Sequence, residues 1–349
     1  MYDVEFFGGD LSLTVNKIAF SIGNFDIYWY GVLIACGMLA AILYAFLRSD
    51  EFGIKFDRMV DVIFVGLIGA VLCARIYYVV MSPGSISSIG DFFNLHSGGI
   101  AIYGAIIGAL LFGGIMCKIR KINVLSMFDL ASVGFLLGQS VGRWGNFMNQ
   151  EAFGCNTDLP WGMWSTEVYN YLSAHKSSLA AEGITVNPAM PVHPCFLYES
   201  LWCLIGFVLL HFLSRRRRYN GQVLLWYIVW YGAGRAVIEG LRTDSLMIGP
   251  IRASQALAIV CVIAGIAALI IFGKKYKDRP VGSDVVRVYG GCAGSALAEE
   301  KSVSVKAADV AGIDETAAES VTEGLTDEDP AKDQDAPDSS GGDPSDENK

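Results

Sequence analysis

Seven apolar stretches separated by short polar connectors fill most of the first 280 residues of this chain. They fall near 27–47, 59–80, 99–117, 125–141, 195–213, 222–241 and 253–273. A helix rises about 1.5 Å per residue, so roughly 20 residues cross a hydrocarbon core of about 30 Å, and each stretch meets or nearly meets that length. Strand signals are weak, and an open sheet edge in lipid would leave backbone groups unpaired. The pattern predicts an all-α, polytopic membrane protein with seven transmembrane helices and the lipid bilayer as its solvent. After Lys277 the apolar period stops and Ala, Ser, Asp, Glu, Gly and Pro dominate, so residues 280–349 are expected to form an acidic disordered tail.

Composition agrees with this class: 53% of the residues are hydrophobic and only 17% are charged. The net charge of −9 does not describe the membrane part. Residues 281–349 hold seventeen acidic and five basic side chains, which leaves the first 280 residues with a net charge of +3.

Lysine and arginine accumulate on the cytoplasmic side of membrane proteins, and here they fall on alternate connectors. One set holds fourteen: Arg48, Lys55 and Arg58; Lys118, Arg120 and Lys121; Arg215 to Arg218; and Lys274, Lys275, Lys277 and Arg279. The opposite set holds only Lys17, Arg143, Lys176, Arg242 and Arg252. The N-terminus is thus predicted outside and the C-terminus in the cytoplasm, and the connector 142–194 becomes a small extracytoplasmic head between helices 4 and 5. The segment MYDVEFFGGD lacks the basic region and cleavage site of a signal peptide, so the first helix is expected to be retained. The RRRR run at 215–218 reads as a stop-transfer anchor attracted to anionic lipid, and no nucleic-acid partner is expected.

Eight cysteines are scattered singly, without the Cys/His spacing of a metal site, and most read as small core residues. Cys155 and Cys195 share the outer face in this topology, but sequence separation does not give their distance.

The densest chemistry is GRWGNFMNQEAFG, Gly142 to Gly154, which places an arginine, two asparagines and a glutamate at the end of an apolar helix. Gly134, Gly138 and Gly142 recur every four residues before it, as do Gly104 and Gly108 on the third stretch, a spacing that lets helices approach closely. On the sixth stretch Tyr231, Arg235 and Glu239 are four apart and share one face. Arg235 and Glu239 either neutralise each other as an i,i+4 pair or serve a site, and ionisable groups within a membrane favour the second reading. Arg75, within the second stretch, divides evenly between the two roles.

The Gly142–Gly154 run resembles the signature of the prolipoprotein diacylglyceryl transferases. The likeness extends through the WYG at Trp29 to Gly31, ARIYYV, SGGIAIYG, HPCFLYE at His193 to Glu199 and YGAGRAVIEGLR, in that order. It implies that residues 1–279 form a transferase domain in the bacterial plasma (inner) membrane. The partners it implies are phosphatidylglycerol and prolipoprotein signal peptides with a lipobox cysteine. The resemblance makes Arg143 the phosphatidylglycerol-binding arginine, Asn146 and Glu151 essential positions, Arg235 a second important arginine, and Tyr30 and Tyr231 supporting tyrosines. Asn149 and Gly154, in the same signature, join the expected substrate-binding set. Some members carry histidine in place of Tyr103, proposed there as a base for the thiol.

The reaction this implies breaks the bond between a glyceryl carbon and a phosphate oxygen as sulfur attacks that carbon. Fixed guanidinium groups in a water-poor site would stabilise the charge gathering on the departing phosphate, and arginine suits this better than lysine. The thiol needs activation, since its ordinary pKa is about 8.5. Glu151, Glu239 and Tyr103 are all candidates for the base. No metal, nucleotide or redox cofactor is implied. A transporter would also place charges inside a bundle, but the chain lacks a clear internal repeat or matched interrupted helices.

Overall fold

The structure, a computed structural model, describes residues 2–282 apart from 24, 83–88, 94–98, 182, 244–246 and 249–250. The acidic tail expected over 280–349 lies almost wholly outside the described residues.

The described chain is mostly helical. Six of its helical segments are long and apolar enough to cross a membrane: Trp29–Phe52, Phe56–Met81, Ile102–Ile119, Val124–Asn149, Cys195–Arg216 and Ala253–Lys275. The helices proper are α1 (Trp29–Arg48), α2 (Phe56–Met81), the short α3 (Ile89–Phe93), α4 (Ile102–Ile119), α5 (Val124–Asn149), α6 (Thr166–Ala181), α7 (Cys195–Leu213), α8 (Gln222–Leu241) and α9 (Ala253–Lys275). α8 covers the residues expected for the sixth span, but its tryptophans, tyrosines and glycines, with Arg235 and Glu239, leave it less apolar than those six.

Large aliphatic side chains point outward along these helices, among them Leu39, Leu43 and Leu47 on α1 and Ile263, Ile270 and Ile271 on α9. Such a surface is a liability in water and ordinary in lipid, so the protein is a multi-pass membrane protein. α5 runs through the middle, packed against α1, α7 and α8, while α2 pairs with α4 and α8 with α9. Buried side chains of several helices, including Tyr44, Met59, Leu130, Leu136, Leu210 and Val223, form the bundle core.

Glycine sets the closest crossings, as its spacing predicts. A Cβ on Gly37 of α1 would lie 2.7 Å from the Gly138 carbonyl oxygen of α5, so only bare backbone fits there. Gly104 and Gly108 of α4 meet the backbone of α2 at Cys73 and Gly69 in the same way.

Strands, which the sequence pattern did not predict, occupy the N-terminal segment. β1 (Tyr2–Phe6) pairs antiparallel with β2 (Leu11–Val15) and, on its other edge, with β5 (Met163–Ser165). A second hairpin, β3 (Ile18–Ile22) and β4 (Phe25–Tyr28), leads directly into α1. Two-residue strands β6 (Met247–Ile248) and β7 (Ile251–Arg252) precede α9. Strands of five residues or fewer alternate too briefly to show a period. Their pairing is fixed by a second core, in which Val4 and Val15 meet Phe147, Phe153, Met163, Val168, Leu172 and Val192. The 142–194 connector is therefore not self-contained, because the first fifteen residues complete its core.

Several readings change. The span expected near 125–141 is longer as α5, which continues to Asn149 and carries Arg143, Asn146 and Asn149 on its last turns. Arg217, within the basic run read as a lipid anchor, is 1% exposed. Its guanidinium donates to the Ser214 carbonyl at 2.9 Å and to that of Glu51, and lies 4.2 Å over the Phe52 ring. Arg75 is likewise committed to structure, its three nitrogens donating to the carbonyls of Phe92, Gly99 and Asp91 at 3.0, 2.9 and 2.6 Å. Cys155 and Cys195 are not joined in a disulfide.

Candidate active site

The signature run forms the last two turns of α5 and the turn beyond it. Arg143, Asn146 and Asn149 recur every three residues and so stay near one face. The helix stops because Gln150 takes a left-handed conformation, φ 54°, and its N–H returns to the Asn146 and Phe147 carbonyls. Ala152 is left-handed as well, φ 58°. Two non-glycine residues in that region within three positions form a strained turn of the kind that clusters at functional sites. Its effect is to fold Glu151 back onto the helix end. Glu151 Oε1 accepts from Asn146 Nδ2 at 2.9 Å and from Asn149 Nδ2 at 3.3 Å.

Arg143 links this turn to two other helices. Its Nη1 donates to Asn146 Oδ1 at 3.3 Å, and its Nε lies 2.9 Å from Glu199 Oε2, in the second turn of α7. The other oxygen of the same carboxylate, Oε1, lies 2.9 Å from Arg235 Nη1 on α8. Arg235 Nη2 then pairs with Glu239 Oε2 at 2.7 Å, and the Glu239 carbonyl accepts from Arg252 Nη1 at 2.6 Å. The result is one polar chain from Glu151 to Arg252. Two guanidinium groups and two carboxylates at its centre balance in charge, which offsets the cost of holding them out of water. The carboxylates are the deeper groups, with side chains 5% exposed at Glu199 and 3% at Glu239, whereas those of Arg143 and Arg235 are 20% and 19% exposed. An incoming anion therefore meets guanidinium first.

Beside Glu151 lies a cavity of about 510 Å³ lined by Lys17, Ile27, Tyr28, Tyr30, Gly31, Asn149 and Glu151. Tyr30, in the first turn of α1, packs against Gly145, where a Cβ would lie 2.8 Å from its ring. Tyr231 sits one turn before Arg235 and stacks on Tyr227 with ring centroids 5.6 Å apart. Gly154 occupies a narrow crossing in which a Cβ would lie 2.7 Å from His193 Cβ and 2.9 Å from Cys195 Sγ. Its N–H donates to the His193 carbonyl at 2.9 Å, and the neighbouring Cys155 N–H donates to Leu241 at 2.7 Å, which ties the signature loop to the ends of α7 and α8. Burial lowers the pKa of the His193 imidazole, whose Nδ1 lies 3.2 Å from the Tyr198 hydroxyl.

The structure thus joins Arg143, Asn146, Asn149, Glu151, Arg235 and Glu239 in one network, with Tyr30 and Tyr231 at its margins. Among the described residues, no hydrogen bond, ion pair or ring contact joins Tyr103 to it. The side chain is half exposed in the first turn of α4, and its ring neighbour is Tyr77 of α2, with centroids 6.4 Å apart. Glu199 is the residue that sequence reasoning passed over. The signal was present, since Glu199 is an ionisable side chain inside an apolar stretch, the same feature that singled out Arg235.

Residues 17–271 match the prolipoprotein diacylglyceryl transferase family. The phosphatidylglycerol–prolipoprotein diacylglyceryl transferase of Clostridioides difficile (strain 630) is 40% identical over 266 residues, covering 76% of this chain and 98% of that protein. That of Ligilactobacillus salivarius (strain UCC118) is 39% identical over 267 residues, 76% of this chain and 95% of that protein. The Thermotoga maritima enzyme of the same name is 39% identical over 276 residues, 78% of this chain and 89% of that protein. The chain belongs to the prolipoprotein diacylglyceryl transferase family.

Proposed function

We infer that this protein transfers the sn-1,2-diacylglyceryl group of phosphatidylglycerol to the lipobox cysteine thiol of prolipoproteins, the first step of bacterial lipoprotein maturation. The observation that carries the reading is the pair of guanidinium groups, from α5 and α8, converging on one buried carboxylate, with Arg143 linked through Asn146 to Glu151 at the wall of an open cavity. The sulfur attacks the glyceryl carbon, the carbon–oxygen bond breaks, and glycerol 1-phosphate departs with one more negative charge than the phosphodiester carried. Arg143 and Arg235 offset that charge where it develops, and because both helices hold them in place before the reaction, little reorganisation is needed.

Of the three groups that could take the thiol proton, Glu151 is the one at the cavity wall, while Glu239 is buried against Arg235 and Tyr103 lies on another helix pair. Glu151 serves as the base in this reading, and Asn146 and Asn149 hold its carboxylate toward the cavity. Tyr30 shapes the cavity wall, and Tyr231 supports α8 one turn before Arg235 by stacking on Tyr227. In the topology that fits the charge asymmetry, α8 spans the membrane between α7 and α9 and brings the spans to seven, the N-terminus is outside, the C-terminus is cytoplasmic, and the second core is an extracytoplasmic head of the bacterial plasma (inner) membrane.

The test is direct. Purified protein is incubated with phosphatidylglycerol vesicles and a lipobox peptide, and the peptide mass and released glycerol phosphate are measured. A diacylglyceryl mass gain with an equimolar release is expected, and vesicles of phosphatidylethanolamine serve as the comparison. No mass gain from any phospholipid overturns the assignment.

A further inference from the structure

Glu199 engages both arginines, yet neither arginine depends on it for its place. Arg143 is also tied to Asn146 Oδ1 at 3.3 Å, and Arg235 to Glu239 Oε2 at 2.7 Å. What Glu199 does uniquely is to present one anionic oxygen to each guanidinium, 2.9 Å from Arg143 Nε and 2.9 Å from Arg235 Nη1. Two oxygens of one anion shared between two arginines is the arrangement a phosphodiester would adopt at the same place. We propose that Glu199 is an internal stand-in for the lipid phosphate, filling the donor face of Arg143 and Arg235 in the empty enzyme and exchanging with the phosphate as substrate arrives and product leaves. The inference rests on the reading that these two arginines bind the phosphate.

The exchange answers two physical demands. Without Glu199 the empty site would hold two guanidinium groups against the one carboxylate of Glu239, which is costly in a water-poor bundle, and Glu199 supplies the second negative charge. After the reaction the phosphate is a monoester with more charge than the substrate had, so it binds the arginines more tightly than the substrate does. A carboxylate competing for the same donors hastens its release. Glu199 is in this sense a positioning residue that does not touch the reacting carbon.

Glu199→Gln tests this, because it keeps the side-chain shape and removes the competing charge. Glu199→Asp keeps the charge on a shorter arm. In vesicles with the lipobox peptide, KM for phosphatidylglycerol, kcat, and inhibition by added glycerol 1-phosphate are measured for both variants and the parent. Exchange predicts that Glu199→Gln lowers the inhibition constant for glycerol 1-phosphate by about tenfold and lowers KM, while kcat falls because release slows. Glu199→Asp stays near the parent inhibition constant, within about threefold. If Glu199 only holds the arginines in place, the Gln variant raises KM and weakens inhibition, and the proposal is overturned. Equal changes in the Gln and Asp variants assign the effect to packing and overturn it as well. Direct binding of glycerol 1-phosphate to the purified parent and Arg143→Ala proteins, measured by calorimetry, separates the levels: if its affinity is unchanged without Arg143, the phosphate reading of the site fails, and not merely the exchange.

Discussion

Arg235 Nη2 lies 2.7 Å from Glu239 Oε2 one turn along α8, while the Nη1 of the same guanidinium reaches Glu199 Oε1 on α7 at 2.9 Å. The pair is thus more than a local i,i+4 contact, because its arginine is shared between helices. Arg235→Ala is expected to lower kcat/KM by about 10²–10³, the usual scale for losing one fixed donor to a developing anion. Glu239→Ala should cost less, since Arg235 retains Glu199. Transfer assays on the two single variants and the double variant check this, and wild-type activity in the double variant would make the pair purely structural.

Arg143→Ala removes the one side chain that, among the described residues, connects the α5 signature turn to Glu199. Diacylglyceryl transfer is expected to fall below detection while the protein still accumulates in membranes, because the bundle core does not include this residue. Arg143→Lys should recover little, as an ammonium cannot bridge Asn146 and an anion with a planar fork. Near-wild-type turnover in both variants would count against the assignment.

Tyr103 and Glu151 offer opposite expectations. Tyr103→Phe should keep most of the activity at neutral and mildly alkaline pH, because the ring sits half exposed beside Tyr77 and, among the described residues, its hydroxyl bonds to no member of the arginine network. Glu151→Gln should lower kcat by about 10²–10⁴, the range for losing a general base. The two variants measured side by side decide which group takes the thiol proton.

At the crossing of α1 and α5, Gly37 and Gly138 meet backbone to backbone. Gly138→Leu is expected to cost on the order of 1–3 kcal/mol or more through overpacking, seen as a lower Tm in detergent and reduced accumulation. Gly114, whose Cβ would meet nothing within 4 Å, provides the control, since Gly114→Leu should leave Tm unchanged.

The sequence by itself determined the long apolar helices, though not α3 or α6, their apolar outer surface and most of the polar residues at the site. Length and hydropathy report each segment's own surroundings, and lipid demands internally hydrogen-bonded helices whatever their neighbours are. The i,i+4 spacing of Arg235 and Glu239, and the crowding of Arg143, Asn146, Asn149 and Glu151 at one helix end, are likewise local facts. Only the tertiary structure decided which charges meet. Glu199 lies 36 residues from Arg235 in sequence, and their ion pair exists because α7 and α8 pack side by side against α5. The same holds for Arg75 and Arg217, which read as site or lipid groups until backbone carbonyls of other segments are seen to hold them. The strands of the first fifteen residues were hidden for a related reason. β1 is stabilised by pairing with β5, more than 150 residues away, and by burying Val4 in a core it shares with α6. Periodicity encodes which face of an element is covered, whereas the partner that covers it is set by the rotation and register of packed elements, and those are properties of the assembled bundle.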